Sequence, residues 1–234
     1  MDIKLHYREK GSGEPLILLH GNGESSAYFI HQLNYFSKWY RVIAVDTTGH
    51  GFSPRGLEPF TIRQFAEDLR CFMDERRIEQ AHILGFSDGG NIALIFALKY
   101  PERVKRLILN GANLNSEGVK PSVQLPIVAG YKLTSLFTKK SPKAQMKADL
   151  LRLMVEEPNI KPEELRELSI KTLVIAGTKD MIKEEHTRLI ADSLPDAELV
   201  FIKGDHFIAN KNSLDFNRAV LSFLSLRENS KRSV

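Results

Sequence analysis

The chain opens on a weak alternation of polar and apolar positions from Lys4 to Arg8. After a turn at Gly11-Ser12-Gly13 comes the short, continuously apolar run Pro15-Leu16-Ile17-Leu18-Leu19. A run of that length without polar interruptions predicts a strand buried on both faces. A helical stretch over about Ala27 to Lys38 leads to a second such strand, Arg41 to Val45. Thr61 to Glu75 then has helical spacing, with Phe65, Leu69, Phe72 and Met73 on one side. The alternation continues with a strand at Ala81 to Leu84, a helix at Gly89 to Tyr100 and strands at Val104 to Leu109 and Thr172 to Ala176. A helix at His186 to Leu194, a strand at Leu199 to Ile202 and a last helix near Ser213 to Leu224 complete it. Strands and helices in alternation predict an α/β fold, a mostly parallel central sheet flanked by helices.

One stretch departs from this rhythm. Between Asn113 and Leu168 no strand pattern appears, and helix-compatible segments are punctuated by Pro121, Pro126, Pro142, Pro158 and Pro162. A structureless loop of that length does not suit a compact domain. The expected organisation is therefore a core domain over 1–112 and 169–234, with a short helical cap insertion over 113–168. Leu125, Ile127, Leu133, Leu136 and Phe137 supply either an apolar lid or core packing within the insertion.

Composition narrows the function classes. The 234 residues are 42% hydrophobic and 26% charged, which is ordinary globular chemistry. A single cysteine, Cys71, excludes an intrachain disulfide and reads as a small core residue of its helix. The net charge of +4 comes from residues spread along the chain, densest at Lys139-Lys140-Ser141-Pro142-Lys143 and Arg227 to Arg232. It reads as solvated surface and predicts no nucleic-acid face. No apolar run approaches the ~20 residues of a membrane span. The N-terminus lacks a basic segment leading into an apolar stretch. The expectation is a soluble cytoplasmic protein with a small-molecule substrate, no membrane partner and no assigned oligomeric state.

The candidate chemistry centres on Gly85-Phe86-Ser87-Asp88-Gly89-Gly90, between a predicted strand and a predicted helix. Glycines flanking such a turn let it bend sharply and lift Ser87 to the carboxyl edge of the sheet, beside a helix N-terminus that favours developing negative charge. A serine hydroxyl needs a base, and the base needs an orienting acid. Asp180 follows the strand Thr172 to Ala176, and His206 follows the strand Leu199 to Ile202. Parallel strands bring these carboxyl-end loops to one edge, in the order Ser, Asp, His. Asp205, adjacent to His206, is the weaker candidate for the acid. His6, His31, His82 and His186 show no metal-ligand spacing, so no metal is expected.

These motifs resemble the α/β-hydrolase superfamily over essentially the whole length. His20-Gly21-Asn22-Gly23 follows the first buried strand. Asp46-Thr47-Thr48-Gly49-His50-Gly51-Phe52-Ser53 is similar to the family's D-x-x-G-x-G-x-S segment, with Thr48 where Arg or Pro is commoner. The resemblance implies an oxyanion hole made by the backbone N–H groups of Asn22 and Asp88, a loop-shaping role for His20 and no cofactor. The implied activity is that of a serine hydrolase cleaving small carboxylic esters through Ser87, His206 and Asp180. The Ser-Asp-Gly-Gly elbow resembles that of valacyclovir hydrolase-type amino-ester hydrolases. That makes Asp88 a candidate receptor for a substrate amino group, with Phe86 as a second substrate-binding candidate. The same triad serves carbon–carbon bond hydrolases, cofactor-free perhydrolases and slow-turnover ligand receptors, and the motifs do not separate these.

Overall fold

A computed structural model describes residues 3–225. Seven strands form one sheet: β1 (Tyr7–Lys10), β2 (Pro15–Leu19), β3 (Arg41–Val45), β4 (Ala81–Phe86), β5 (Val104–Asn110), β6 (Thr172–Gly177) and β7 (Ala197–Ile202). Their order is β1-β3-β2-β4-β5-β6-β7, with β1 antiparallel to β3 and all other pairings parallel. The helices are α1 (Ile30–Phe36), α2 (Ile62–Glu75), α3 (Asp88–Lys99), α4 (Pro121–Ser135), α5 (Pro142–Glu156), α6 (Pro162–Leu165), α7 (Glu184–Ser193), α8 (Ile208–Lys211) and α9 (Ser213–Ser225).

The continuous apolar runs are explained by two cores, one on each sheet face. On β2, Ile17 and Leu19 join the core formed with α2, α3 and α7, while Leu16 and Leu18 join the core formed with α1, α8 and α9. The same alternation divides Ile43 and Val45 from Val42 and Ala44 on β3, and Ile83 from Leu84 and Phe86 on β4. A strand with helices on both sides has no solvent face to mark with polar residues.

Local differences from the expected elements have identifiable causes. The stretch expected as a helix from Ala27 is a 3₁₀ turn, Ser26–Phe29, before α1 begins at Ile30. Helix α2 starts where expected because Thr61 accepts a hydrogen bond from the Gln64 N–H. Cys71 is half-buried beside the Arg70 guanidinium, so it belongs to the rim of α2 and not to the core.

Between β5 and β6 the chain forms α4, α5 and α6, and the two long helices make an antiparallel hairpin. Pro126 lies inside α4 without ending it. Helix α5 is anchored from below by Leu153, which is buried in the same core as α2 and α3. Helix α4 contains no fully buried residue and rests on the outside of α5. Leu125, Leu133, Leu136 and Phe137 are therefore exposed, at 67%, 60%, 72% and 48%, and do not form cap core.

Candidate active site

The parallel register sets the site. Leu18 pairs with Leu84, Phe86 with Asn110, Asn110 with Ile175, and Gly177 with Ile202. Five strands therefore end at one edge, where the loops carrying Asn22, Ser87, Gly111, Asp180 and His206 meet.

Ser87 sits in the turn between β4 and α3 at φ +53° and ψ −122°, a conformation that L-residues rarely adopt. The chain tolerates it because its neighbours overdetermine it. The Ser87 N–H donates to Asn110 O at 2.8 Å, and Ser87 O accepts from Gly90 N at 2.8 Å and Asn91 N at 3.1 Å. The flanking glycines are sterically required. A Cβ on Gly85 would lie 2.2 Å from Gly89 O, and one on Gly89 would lie 2.0 Å from Leu19 O.

Asp180 and His206 meet directly. His206 Nδ1 lies 2.6 Å from Asp180 Oδ1, with both side chains nearly fully buried. The Ile182 N–H donates to the same oxygen at 2.9 Å, and Gly177 N lies 3.4 Å from Oδ2. Burial alone would raise the Asp180 pKa. The hydrogen bond from His206, its charge and the two backbone donors outweigh burial and hold the carboxyl below its ordinary range. Asp205 instead bonds the Phe207 N–H and the Lys211 ammonium at the surface. Gly111, at φ +63°, gives the imidazole its space: a Cβ there would come within 2.7 Å of His206 Cε1.

Ser87 completes the cluster by adjacency. Among the described residues no hydrogen bond joins Ser87 Oγ to His206, a loose arrangement common in a substrate-free site. Phe86, next to Ser87, lies with its ring centroid 4.8 Å from that of His206. Phe86 is only 1% exposed and stacks on Tyr28 at 4.5 Å. It is thus buried with its ring against the imidazole, where the sequence reading expects a substrate-binding candidate.

Asn22 and Asp88 are brought together by their side chains. Asn22 Nδ2 donates to Asp88 Oδ2 at 2.8 Å and to the carbonyl of Leu150 on α5 at 2.9 Å. Asp88 is 9% exposed. Burial pushes its carboxyl upward, against the opposing effects of the Asn22 hydrogen bond and the His206 charge. The Asp88 backbone N–H belongs to the first turn of α3, where N–H groups lack intrahelical acceptors. His20 is buried behind the loop. Its Nδ1 donates to Gly21 O at 2.8 Å and its Nε2 accepts from Thr47 N at 3.1 Å. Burial and then the neighbouring His50 lower its pKa to about 4, so it stays neutral. Thr48, the departure from the commoner motif, donates to Asp68 of α2 at 2.5 Å and ties its loop to the scaffold.

Three features were not singled out from the sequence. Glu24, directly after His20-Gly21-Asn22-Gly23, has a buried carboxylate oxygen, Oε2, without a hydrogen-bond partner. Burial raises its pKa to about 7, against the pull of the Gly21 backbone and His206. Glu157, at the end of the cap hairpin, accepts from the Ile62 N–H at 2.7 Å and is also raised by burial. Lys120, at the start of α4, donates to the Asp180 carbonyl at 2.5 Å. Glu24 was findable as an acid next to the loop motif; the other two depend on how the cap packs. No group of three or more potential metal ligands occurs among the described residues.

A strained serine between strand and helix, an Asp–His pair at the same sheet edge and this strand order define an α/β hydrolase. The α/β hydrolase fold family model matches residues 14–146, and the chain belongs to that family of enzymes. Among its relatives is a 2-hydroxy-6-oxo-6-phenylhexa-2,4-dienoate hydrolase of Comamonas testosteroni. The two are 29% identical, and the alignment covers 97% of this chain and 93% of the relative. That alignment runs over 273 positions, more than the 234 residues present here, so the relative carries segments that this chain lacks. A meta-cleavage product hydrolase from Pseudomonas fluorescens superimposes with a TM-score of 0.78 at 26% identity, covering 95% of this chain and 94% of that one. An N-acyl homoserine lactone degrading enzyme gives 0.79 at 25% identity, with coverages of 94% and 97%. No helix among the described residues is long and apolar enough to cross a membrane.

Proposed function

We propose that this hydrolase cleaves small carboxylic esters through an acyl-enzyme on Ser87. The observation that carries the reading is the 2.6 Å Asp180–His206 hydrogen bond at the edge where Ser87 is held in its strained turn. Ser87 Oγ attacks the carbonyl carbon while His206 takes the hydroxyl proton. Asp180 keeps the imidazole in the tautomer with hydrogen on Nδ1 and stabilises the imidazolium that forms. The N–H groups of Asn22 and Asp88 receive the oxyanion, a contribution of about 3–4 kcal/mol for a well-placed donor. His206 passes its proton to the departing alcohol. Water then attacks the acyl-enzyme as His206 takes one of its protons, and His206 returns that proton to Ser87 Oγ as the bond to the acyl carbon breaks and the acid leaves. No cofactor enters this scheme.

The relatives favour a second reading, hydrolysis of a carbon–carbon bond. Their names describe dienoates, which carry a carboxylate. The surroundings of Ser87 suit a neutral acyl group better. Asp88 and Glu24 are both acidic, and the basic side chain that bears on each is His206. Preference for amino-acid esters would rest on Asp88. That role is weakened by the Asn22 amide already bonded to its Oδ2 and by burial favouring its neutral form.

A panel of p-nitrophenyl esters from acetyl to octanoyl tests the first reading. Turnover is expected in the native enzyme and a loss of about 10⁴-fold or more in Ser87→Ala. Cleavage of 2-hydroxy-6-oxo-6-phenylhexa-2,4-dienoate without ester turnover would replace it with the second reading. Comparing alanyl with acetyl esters in Asp88→Asn isolates the amino-group question: an unchanged ratio removes the role of Asp88.

A further inference from the structure

The cap hairpin concentrates charge that the whole-chain average hides. Residues 118–148 contain six lysines and no Asp, Glu or Arg. The chain's net charge is +4 and this segment alone contributes +6, leaving the remainder at −2. Asp149, the first carboxylate beyond it, is half-buried and lies 3.8 Å from Arg55.

The same segment exposes its apolar side chains. Helix α4 places Val123, Ile127, Val128 and Tyr131 half-buried toward α5, while Gln124 donates to the Met154 carbonyl. Its opposite face carries Leu125, Ala129, Leu133 and Leu136, spaced four, four and three residues apart and all exposed. That spacing lines them along one ridge of the helix. Phe137 continues the ridge into the turn, with exposed Lys132 on the helix and exposed Lys139 and Lys143 around the turn. A helix that is apolar on both faces suits an interior or contact with lipid, and here one face has no protein against it among the described residues. Leucines on a ridge flanked by lysines, with no acid in the segment, complement a surface that is apolar beneath and negative above.

We propose that the α4–α5 hairpin docks this enzyme on a bilayer surface rich in anionic lipid headgroups. The Leu133–Leu136–Phe137 tip lies among the acyl chains, and Lys132, Lys139 and Lys143 lie at the headgroups. This is surface docking and not a membrane span. It departs from the expectation of no membrane partner, because the structure sets an exposed apolar ridge beside the lysine-rich stretch that reads in the sequence as solvated surface. The proposal is independent of which bond the active site cleaves.

The test is co-sedimentation of the full chain with mixed phosphatidylglycerol–phosphatidylcholine vesicles and with pure phosphatidylcholine vesicles. Binding at least about tenfold stronger to the anionic vesicles is expected, weakening as salt is raised. Leu133→Ser with Leu136→Ser, and separately Lys139→Gln with Lys143→Gln, should each reduce it about fivefold or more. Circular dichroism of each variant checks that the fold is intact. Equal binding to both vesicle types, or undiminished binding by either double variant, overturns the proposal. Sedimentation of a dimer that the leucine variant turns into a monomer also overturns it, because a second copy would then cover the ridge.

Discussion

The candidate catalytic edge and the α4–α5 hairpin differ in how tightly their surroundings specify them. At the edge, Ser87, Asp180 and His206 are held by backbone donors, glycines without room for a Cβ and fully buried aromatic rings. The hairpin has one firmly buried leucine, Leu153, beneath α5, and its outer helix packs on one side only. The proposed chemistry, which depends on sub-ångström placement, sits where the backbone has no alternative. The hairpin, whose outer helix faces the surroundings, sits where substitutions meet little resistance.

That contrast breaks most sharply at Gly89. Its missing Cβ makes room for Leu19 O, so Gly89→Ala is expected to cost more than about 4 kcal/mol or to prevent folding, as read by denaturant unfolding. An alanine tolerated there with normal stability would show that the edge is less constrained than its geometry indicates.

Asn22→Ala addresses the junction of the two regions, since that side chain bonds both Asp88 and the α5 carbonyl of Leu150. Loosening the loop that carries one proposed oxyanion donor should lower kcat by about 10–100-fold with little change in KM. A change confined to KM would assign Asn22 to substrate binding instead.

A smaller effect is expected at Glu24. Its pKa in the folded chain, about 7, lies above its ordinary 4.5, so the folded state holds the proton more tightly than the unfolded chain. Native stability therefore declines as pH rises from 4.5 through 7. Glu24→Gln removes that loss, so the variant should match the native protein near pH 5. It should exceed it by on the order of 1–2 kcal/mol at pH 8, allowing for partial solvent access. Equal melting temperatures at both pH values would rule out this penalty.

The smallest effect belongs to the outer ridge. Leu133→Ser should change stability by no more than about 0.5 kcal/mol, because the residue is 60% exposed. A larger loss would mean that the ridge is covered in solution.

Much of the edge was legible in the chain because its requirements are local. Gly85, Ser87 and Gly89 announce a tight turn, and Asp180 and His206 stand directly after apolar runs whose strand character is unmistakable. Parallel strands then leave one edge for them to share. The cap was legible only as an interruption. Its helices could be counted approximately, but apolar residues such as Leu125 and Leu133 have the same composition whether they face a core, a pocket or solvent. The choice of face depends on what packs beside α4, and among the described residues that is chiefly α5.

Local backbone requirements and two-sided burial thus determined the fold class, the strand order of the chemistry and the identity of the nucleophile, acid and base candidates from sequence. Tertiary packing decided what adjacency along the chain does not encode. It turned Phe86 inward beneath His206 and bonded Asp88 to Asn22. It left Glu24 with a buried oxygen that has no hydrogen-bond partner, and it set an apolar lysine-flanked ridge on the outside of the α4–α5 hairpin. The physical reason is the range of the forces: turn sterics act within a few residues, whereas burial and charge depend on which distant elements close around a side chain.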